Sequence, residues 1–185
     1  MKKRVRVILI ACVTLLLAAA AVVFLPFTRK IDTTLTATEY RFDDPDYAVE
    51  HAVTIRGYDT RNLLGRGKFV GTFAVSGFET AGEGWTAHVT FPTPEPYFNT
   101  YFEVPDGNGY VTTMDIFSLL SDREWTTFTA LIQETSQAQD GGLRGSFDPE
   151  SGHFLVSGSA GRENALAQAM ELAKGTTLES LFLNR

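Results

Sequence analysis

The chain has 185 residues and a formal net charge of −6, and that charge is unevenly divided. Residues 1–30 carry six basic side chains (Lys2, Lys3, Arg4, Arg6, Arg29, Lys30) and no acid, while the rest carries ten basic and all 22 acidic ones, a split of +6 and −12. An apolar fraction of 44% with 12% aromatics excludes a disordered chain. A single cysteine excludes an intramolecular disulfide framework and a multi-cysteine zinc site, and the acidic body has the wrong sign for general nucleic-acid binding.

Val7 to Phe27 is a run of 21 residues without a charge, with Thr14 its one polar side chain. At 1.5 Å per residue it reaches about 30 Å, the thickness of a bilayer core. Four basic residues precede it and two follow. The positive-inside rule then puts the N-terminus in the cytoplasm and the body outside the cell membrane, as a single-pass protein. We read residues 1–30 as a membrane anchor, with a signal-anchor helix over about 7–27, and 31–185 as one extracytoplasmic domain. Two other fates compete. Cleavage after Ala18-Ala19-Ala20 would leave an apolar stub from Ala21 to Leu25, and Leu9-Ile10-Ala11-Cys12 has the form of a bacterial lipobox, with too short an apolar run before it. Otherwise Cys12 is an apolar residue of the helix.

In chain order, Thr33–Phe42 is a Thr-rich first strand. Val49–Gly57 follows with Val49, Val53 and Ile55 inward, and Gly57-Tyr58-Asp59 has turn chemistry. Lys68–Ser76 alternates with Phe69, Phe73 and Val75 on one face, where Gly71 would admit a neighbouring backbone or ring. After a Gly82-Glu83-Gly84 turn, Trp85, Ala87, Val89 and Phe91 alternate with Thr86, His88 and Thr90. An aromatic run from Phe91 to Val104 would put Phe98, Phe102 and Val104 on one face and Tyr97, Asn99, Tyr101 and Glu103 on the other. Asp106-Gly107-Asn108-Gly109 is another turn. Ser121-Asp122-Arg123-Glu124 has capping-box spacing, read as one helical turn before a strand with Phe128, Ala130 and Ile132 inward. Phe154 and Val156 mark a late strand. Arg162–Lys174 carries Ala165, Leu166, Ala169, Leu172 and Ala173 at helical spacing and stops at Gly175. Leu178, Leu181, Phe182 and Leu183 suggest that the tail packs too. The expected fold is mainly β: an antiparallel β-sandwich or partly closed barrel with a C-terminal amphipathic helix, preceded by one transmembrane helix.

Tyr97, Asn99, Tyr101 and Glu103 combine flat rings with hydrogen-bonding groups, as a face for a sugar or peptide needs. The bland alternative is that the tyrosines pack under a loop or helix. Asp43-Asp44-Pro45-Asp46 and Asp106-Gly107-Asn108-Gly109 offer oxygens to Ca²⁺, but neither has the full loop with its closing Glu. His51, His88 and His153 lack metal-ligand spacing and read as structural. There is no G-x-S-x-G elbow, and Gly158-Ser159-Ala160-Gly161-Arg162 lacks the Lys-Ser/Thr of a phosphate loop. Glu95, Glu103 and Asp106 are the carboxylates that glycoside hydrolysis would have to draw on. No catalytic residue, cofactor or metal is expected.

Ile55-Arg56-Gly57-Tyr58, the Lys68–Val75 strand with its F-x-G-x-F-x-V pattern, and the terminal helix with Ala165, Ala169 and Leu172 carry a resemblance. Over about half of the body, the chain is similar to small bacterial proteins of unknown function that join one N-terminal membrane segment to an extracytoplasmic β-rich domain. That resemblance implies topology and location, and no activity. The expectation is therefore a noncatalytic, membrane-tethered binding or interaction module whose partner is an envelope glycan or a protein and not a nucleic acid. The alternatives are an enzyme acting on envelope polysaccharide and a structural subunit of a membrane complex.

Overall fold

The computed structural model describes residues 2–78, 84–91, 100–105, 111–114, 117–137, 143–158 and 161–183. Helix α1 (Lys2–Phe24) comes first, and its Arg4–Phe24 stretch is long and apolar enough to cross a membrane. Only Leu25 and Pro26 separate it from β1 (Phe27–Arg41), so the last residue of the apolar run is already strand.

β1 forms a long antiparallel hairpin with β2 (Ala48–Arg61), paired from Phe27↔Arg61 to Tyr40↔Ala48. The sheet continues from β2 through β3 (Gly67–Val75), β4 (Thr86–Phe91), β5 (Thr100–Pro105) and β6 (Val111–Met114). On the other side of β1 lie, in spatial order, β11 (His153–Ser157), β8 (Phe128–Ile132) and β7 (Phe117–Ser121). β9 (Glu134–Gln137) and β10 (Leu143–Ser146) form a separate hairpin. β5 returns to within 8 Å of β7 (Cα to Cα), so the nine-stranded sheet curls into a nearly closed barrel. Of the two architectures expected, the chain adopts the barrel, one sheet folded around its own core.

Strict alternation fills that core. Phe69, Phe73 and Val75 of β3 and Ala87, Val89 and Phe91 of β4 are all buried, while Thr90 is exposed. Each large side chain so enclosed stabilises the fold by roughly 1.5–3 kcal/mol. Val53 and Ile55 join them, but Val49 is 40% exposed at the outer end of β2. The expected turn at Gly57-Tyr58-Asp59 is instead the middle of β2. Gly57 pairs with Gly71, and a Cβ on Gly71 would sit 2.1 Å from the Arg56 carbonyl oxygen. The two glycines therefore let β2 and β3 approach closely within the ladder.

A second core lies on the outer face. Helices α2 (Arg162–Ala173) and α3 (Glu179–Phe182) cover Tyr40, Phe42, Leu120, Leu131, Phe154 and Val156. Ala165, Ala169 and Ala173, one every four residues, are the fully buried stripe of α2, and their small size brings the helix close to the sheet. Gly175 takes φ +73° just beyond the helix, as the stop signal implies. Leu178 and Phe182 pack, whereas Leu183 is 59% exposed.

The helical turn expected after Ser121 is also absent. Residues 122–127 form a turn in which Asp122 Oδ1 accepts the Thr126 amide at 2.9 Å and the Asp122 amide donates to the Thr127 carbonyl. Trp125 takes φ +58°, rare for a bulky residue, and its side chain is fully buried. The strand after it matches expectation, with Phe128 and Ala130 buried in the barrel and Ile132 packed at its margin.

Candidate functional site

Two of the four residues of the expected binding face, Tyr97 and Asn99, lie outside the described residues, as do Glu95 and Asp106. The other two behave as the alternation requires. Tyr101 is 39% exposed and Glu103 half-buried on the outer side of β5, while Thr100 and Phe102 between and beside them point into the barrel.

Register shows what else shares that face. Tyr58 of β2 pairs with Val70 of β3, Val70 with His88 of β4, and His88 with Tyr101 of β5. Directly paired residues share one side of a sheet, so Tyr58, Val70, His88 and Tyr101 form a row across four strands on the outer surface. Tyr58 is 59% exposed. The His88 and Tyr101 rings are stacked, with centroids 4.6 Å apart and planes 3° from parallel. Strand spacing places Tyr58 about 10 Å from His88. His88 Nε2 is 3.2 Å from Glu103 Oε2 but makes no well-angled hydrogen bond to it.

The surroundings of the row are polar. Thr28 and Thr60 hydrogen-bond to each other at 3.1 Å on one side, next to Lys68. On the other side Arg56 donates to Asp32 at 3.2 Å. Lys30 extends the row onto β1 opposite Tyr58. The result is a hydroxyl-rich outer surface carrying a stripe of rings.

Sequence reasoning missed Tyr58 and the role of His88. Taking Gly57–Asp59 as a turn removed Tyr58 from the strand, and cross-strand register cannot be read from one strand at a time. One signal was present: Tyr58 has the outward parity set by Val53 and Ile55.

Two further polar clusters close the barrel, one at each end. Beside α1, Arg61 Nε donates to Asp59 Oδ1 at 2.8 Å and the Trp125 indole donates to Asp59 Oδ2 at 2.9 Å. The Arg61 guanidinium also donates to Ser121 Oγ at 2.8 Å and to the Ser121 and Asp122 carbonyls, and lies 3.6 Å from the centre of the Phe91 ring. Both charged side chains are almost wholly buried.

At the opposite end Glu39 is buried and accepts from His51 Nε2 at 2.9 Å, from the Tyr47 hydroxyl at 3.2 Å and from His153 Nδ1. His51 Nδ1 is 2.7 Å from the Ser76 carbonyl oxygen. Burial first, and then the nearby Glu39 carboxylate, raise the Tyr47 phenol above its ordinary 10, against a smaller opposing effect of Arg41. These contacts account for His51 and His153 as structural residues. Among the described residues no group of three or more His, Cys, Asp or Glu is arranged to hold a metal ion. The Asp43–Asp46 turn is held by Asp44 Oδ1 accepting the Asp46 amide and by Arg162 donating to the carbonyls of Arg41, Phe42 and Asp44. The second acidic loop, 106–109, lies outside the described residues.

No protein-family model, curated protein or solved structure matches the chain.

Proposed function

We propose that the chain is a single-pass, membrane-anchored module whose barrel stands outside the cell membrane and binds an envelope glycan on the Tyr58–Tyr101 row without catalysing a reaction. The observation that carries this reading is the row itself: two exposed tyrosines and a stacked histidine in register on the outer surface. The barrel interior is packed with side chains, so a ligand is met on the outside. Flat rings set among hydroxyls suit the C–H faces and hydroxyl edges of a sugar chain. A protein epitope of this size would call for an apolar centre, and here Val70 lies between the rings while threonines and charges surround them. The basic residues flanking the apolar run, four before Val7 and two after Phe27, support the orientation.

Titration of the full chain in detergent micelles with soluble cell-wall glycan fragments tests the site. Tyr58→Ala combined with Tyr101→Ala should abolish binding and leave the melting temperature nearly unchanged. Binding that survives the pair of changes, or a large loss of stability in their place, would overturn the reading.

A further inference from the structure

The turn joining β2 to β3 is built in an unusual way. Tips of hairpins are normally polar, because their residues face water. This one presents Leu63 and Leu64, 48% and 53% exposed, side by side. The turn is nevertheless well ordered by its own backbone. Asn62 Oδ1 accepts the amides of Leu64 and Arg66, both at 3.0 Å, the Asn62 amide donates to the Arg66 carbonyl at 2.9 Å, and the Gly65 amide donates to the Asn62 carbonyl. The two leucines are therefore held outward by the turn and take no part in its bonding.

The position of the turn identifies what covers them. The Leu63 amide donates to the carbonyl of Val23 at 3.3 Å, inside the last turn of α1. That bond supplies one of the carbonyls a helix end leaves open. It also sets the leucine pair level with the apolar end of the helix, where Val22, Phe24, Leu25 and Phe27 are all about half exposed or more. Exposed cations, Lys30, Arg66 and Lys68, lie just beyond on β1 and at the start of β3. Apolar tips with Arg66 in the same turn, and Lys68 and Lys30 farther up the strands, are the chemistry of a lipid interface, with acyl chains against the leucines and headgroup phosphates against the cations.

We infer that the β2–β3 turn is a second membrane contact, in which Leu63 and Leu64 enter the outer leaflet beside α1 and fix the orientation of the barrel against the bilayer. This rests on α1 spanning the membrane. A helix alone leaves a domain free to swivel about it; a helix plus a wedge does not. The ring row begins at Tyr58, three residues along β2 from Arg61, and would then stand about 10 Å from that residue and farther still from the leucine tips.

The test uses the full chain with Cys12→Ala, reconstituted in phosphatidylethanolamine–phosphatidylglycerol vesicles that contain lipid spin-labelled near the top of the acyl chain. Single cysteines carrying an environment-sensitive fluorophore replace Leu64, Leu17 in α1, or Asp46 at the opposite end of the barrel, with Leu63 as a second tip position. Circular dichroism checks that each variant keeps its strands. The expected result is a blue shift and loss of most emission at residues 17, 63 and 64, and neither at residue 46. Quenching at 17 with none at 63 or 64 overturns the inference and leaves the anchor intact. No quenching at 17 removes the anchor, and the inference with it. Quenching at 46 as well also overturns it, since the barrel would then lie along the surface.

Discussion

The barrel end beside α1 is closed by Asp59, Arg61 and Trp125, and the opposite end by Glu39, His51, His153 and Tyr47. Both closures bury a carboxylate among donors, but the donors differ in kind. Arg61 keeps its charge at any pH the protein meets and offers five donors in a rigid fork. The chain spends that fork on a carboxylate, a hydroxyl, two carbonyls and an aromatic face. The far end relies on two imidazoles and a phenol around one carboxylate, each giving it a single bond. His51 lies between two acceptors, the Ser76 carbonyl and the Glu39 carboxylate. One end is thus tied by a single many-armed guanidinium and the other by several single-bond donors. The guanidinium-tied end stands where the helix joins the barrel.

Breaking the guanidinium-tied end should have the largest effect. Trp125→Ala removes a fully buried indole and the donor to Asp59 Oδ2, and should cost about 3–5 kcal/mol, read as a shift in the urea midpoint. Arg61→Ala leaves Asp59 buried without its cation, again about 3–5 kcal/mol. If both cost less than Glu39→Gln, the ranking of the two ends is reversed. Glu39→Gln keeps the shape of the far closure but disturbs its bonds with two histidines, and should cost about 1–3 kcal/mol.

Tyr47→Phe removes a single neutral donor, about 0.5–1.5 kcal/mol. Its pH signature follows from the raised phenol. The folded state holds that proton more tightly than the unfolded chain, so the contribution is complete below pH 10 and is lost as the pH rises through the higher folded value. Denaturation curves taken on either side of pH 10 should show a decline in the parent chain that Tyr47→Phe reduces. Smallest of all, Tyr58→Ala on the outer face should change stability by less than about 0.5 kcal/mol, because its ring lies on the surface.

These closures also mark where the sequence was legible and where it was not. Strands whose inward positions are apolar, such as Phe69, Phe73 and Val75, announced themselves by parity, and α2 did so by the spacing of its alanines. β2 was cut short because its inward positions after Gly57 are Asp59 and Arg61, which look like the polar end of a strand. Charge can point inward there because Asp59 and Arg61 neutralise each other and Trp125, 66 positions from Asp59, donates to the second carboxylate oxygen. Trp125 in turn sits in a backbone conformation that its type disfavours, so local preference pointed to a helix that tertiary packing overrides. The candidate site divides in the same way. Tyr101 and Glu103 were found by alternation along one strand, whereas adding Tyr58 and His88 needed the register between strands.

The joint between helix and barrel is two residues long, Leu25 and Pro26, and one of them is a proline with its backbone torsion already restricted. A long flexible linker would let a binding head sweep a volume and trade local concentration for reach. This joint gives the barrel no such slack. β1 begins at once and, fully extended, its 15 residues reach roughly 50 Å at most. In the proposed setting the protein samples a thin layer next to the bilayer, and any partner must enter that layer to be met.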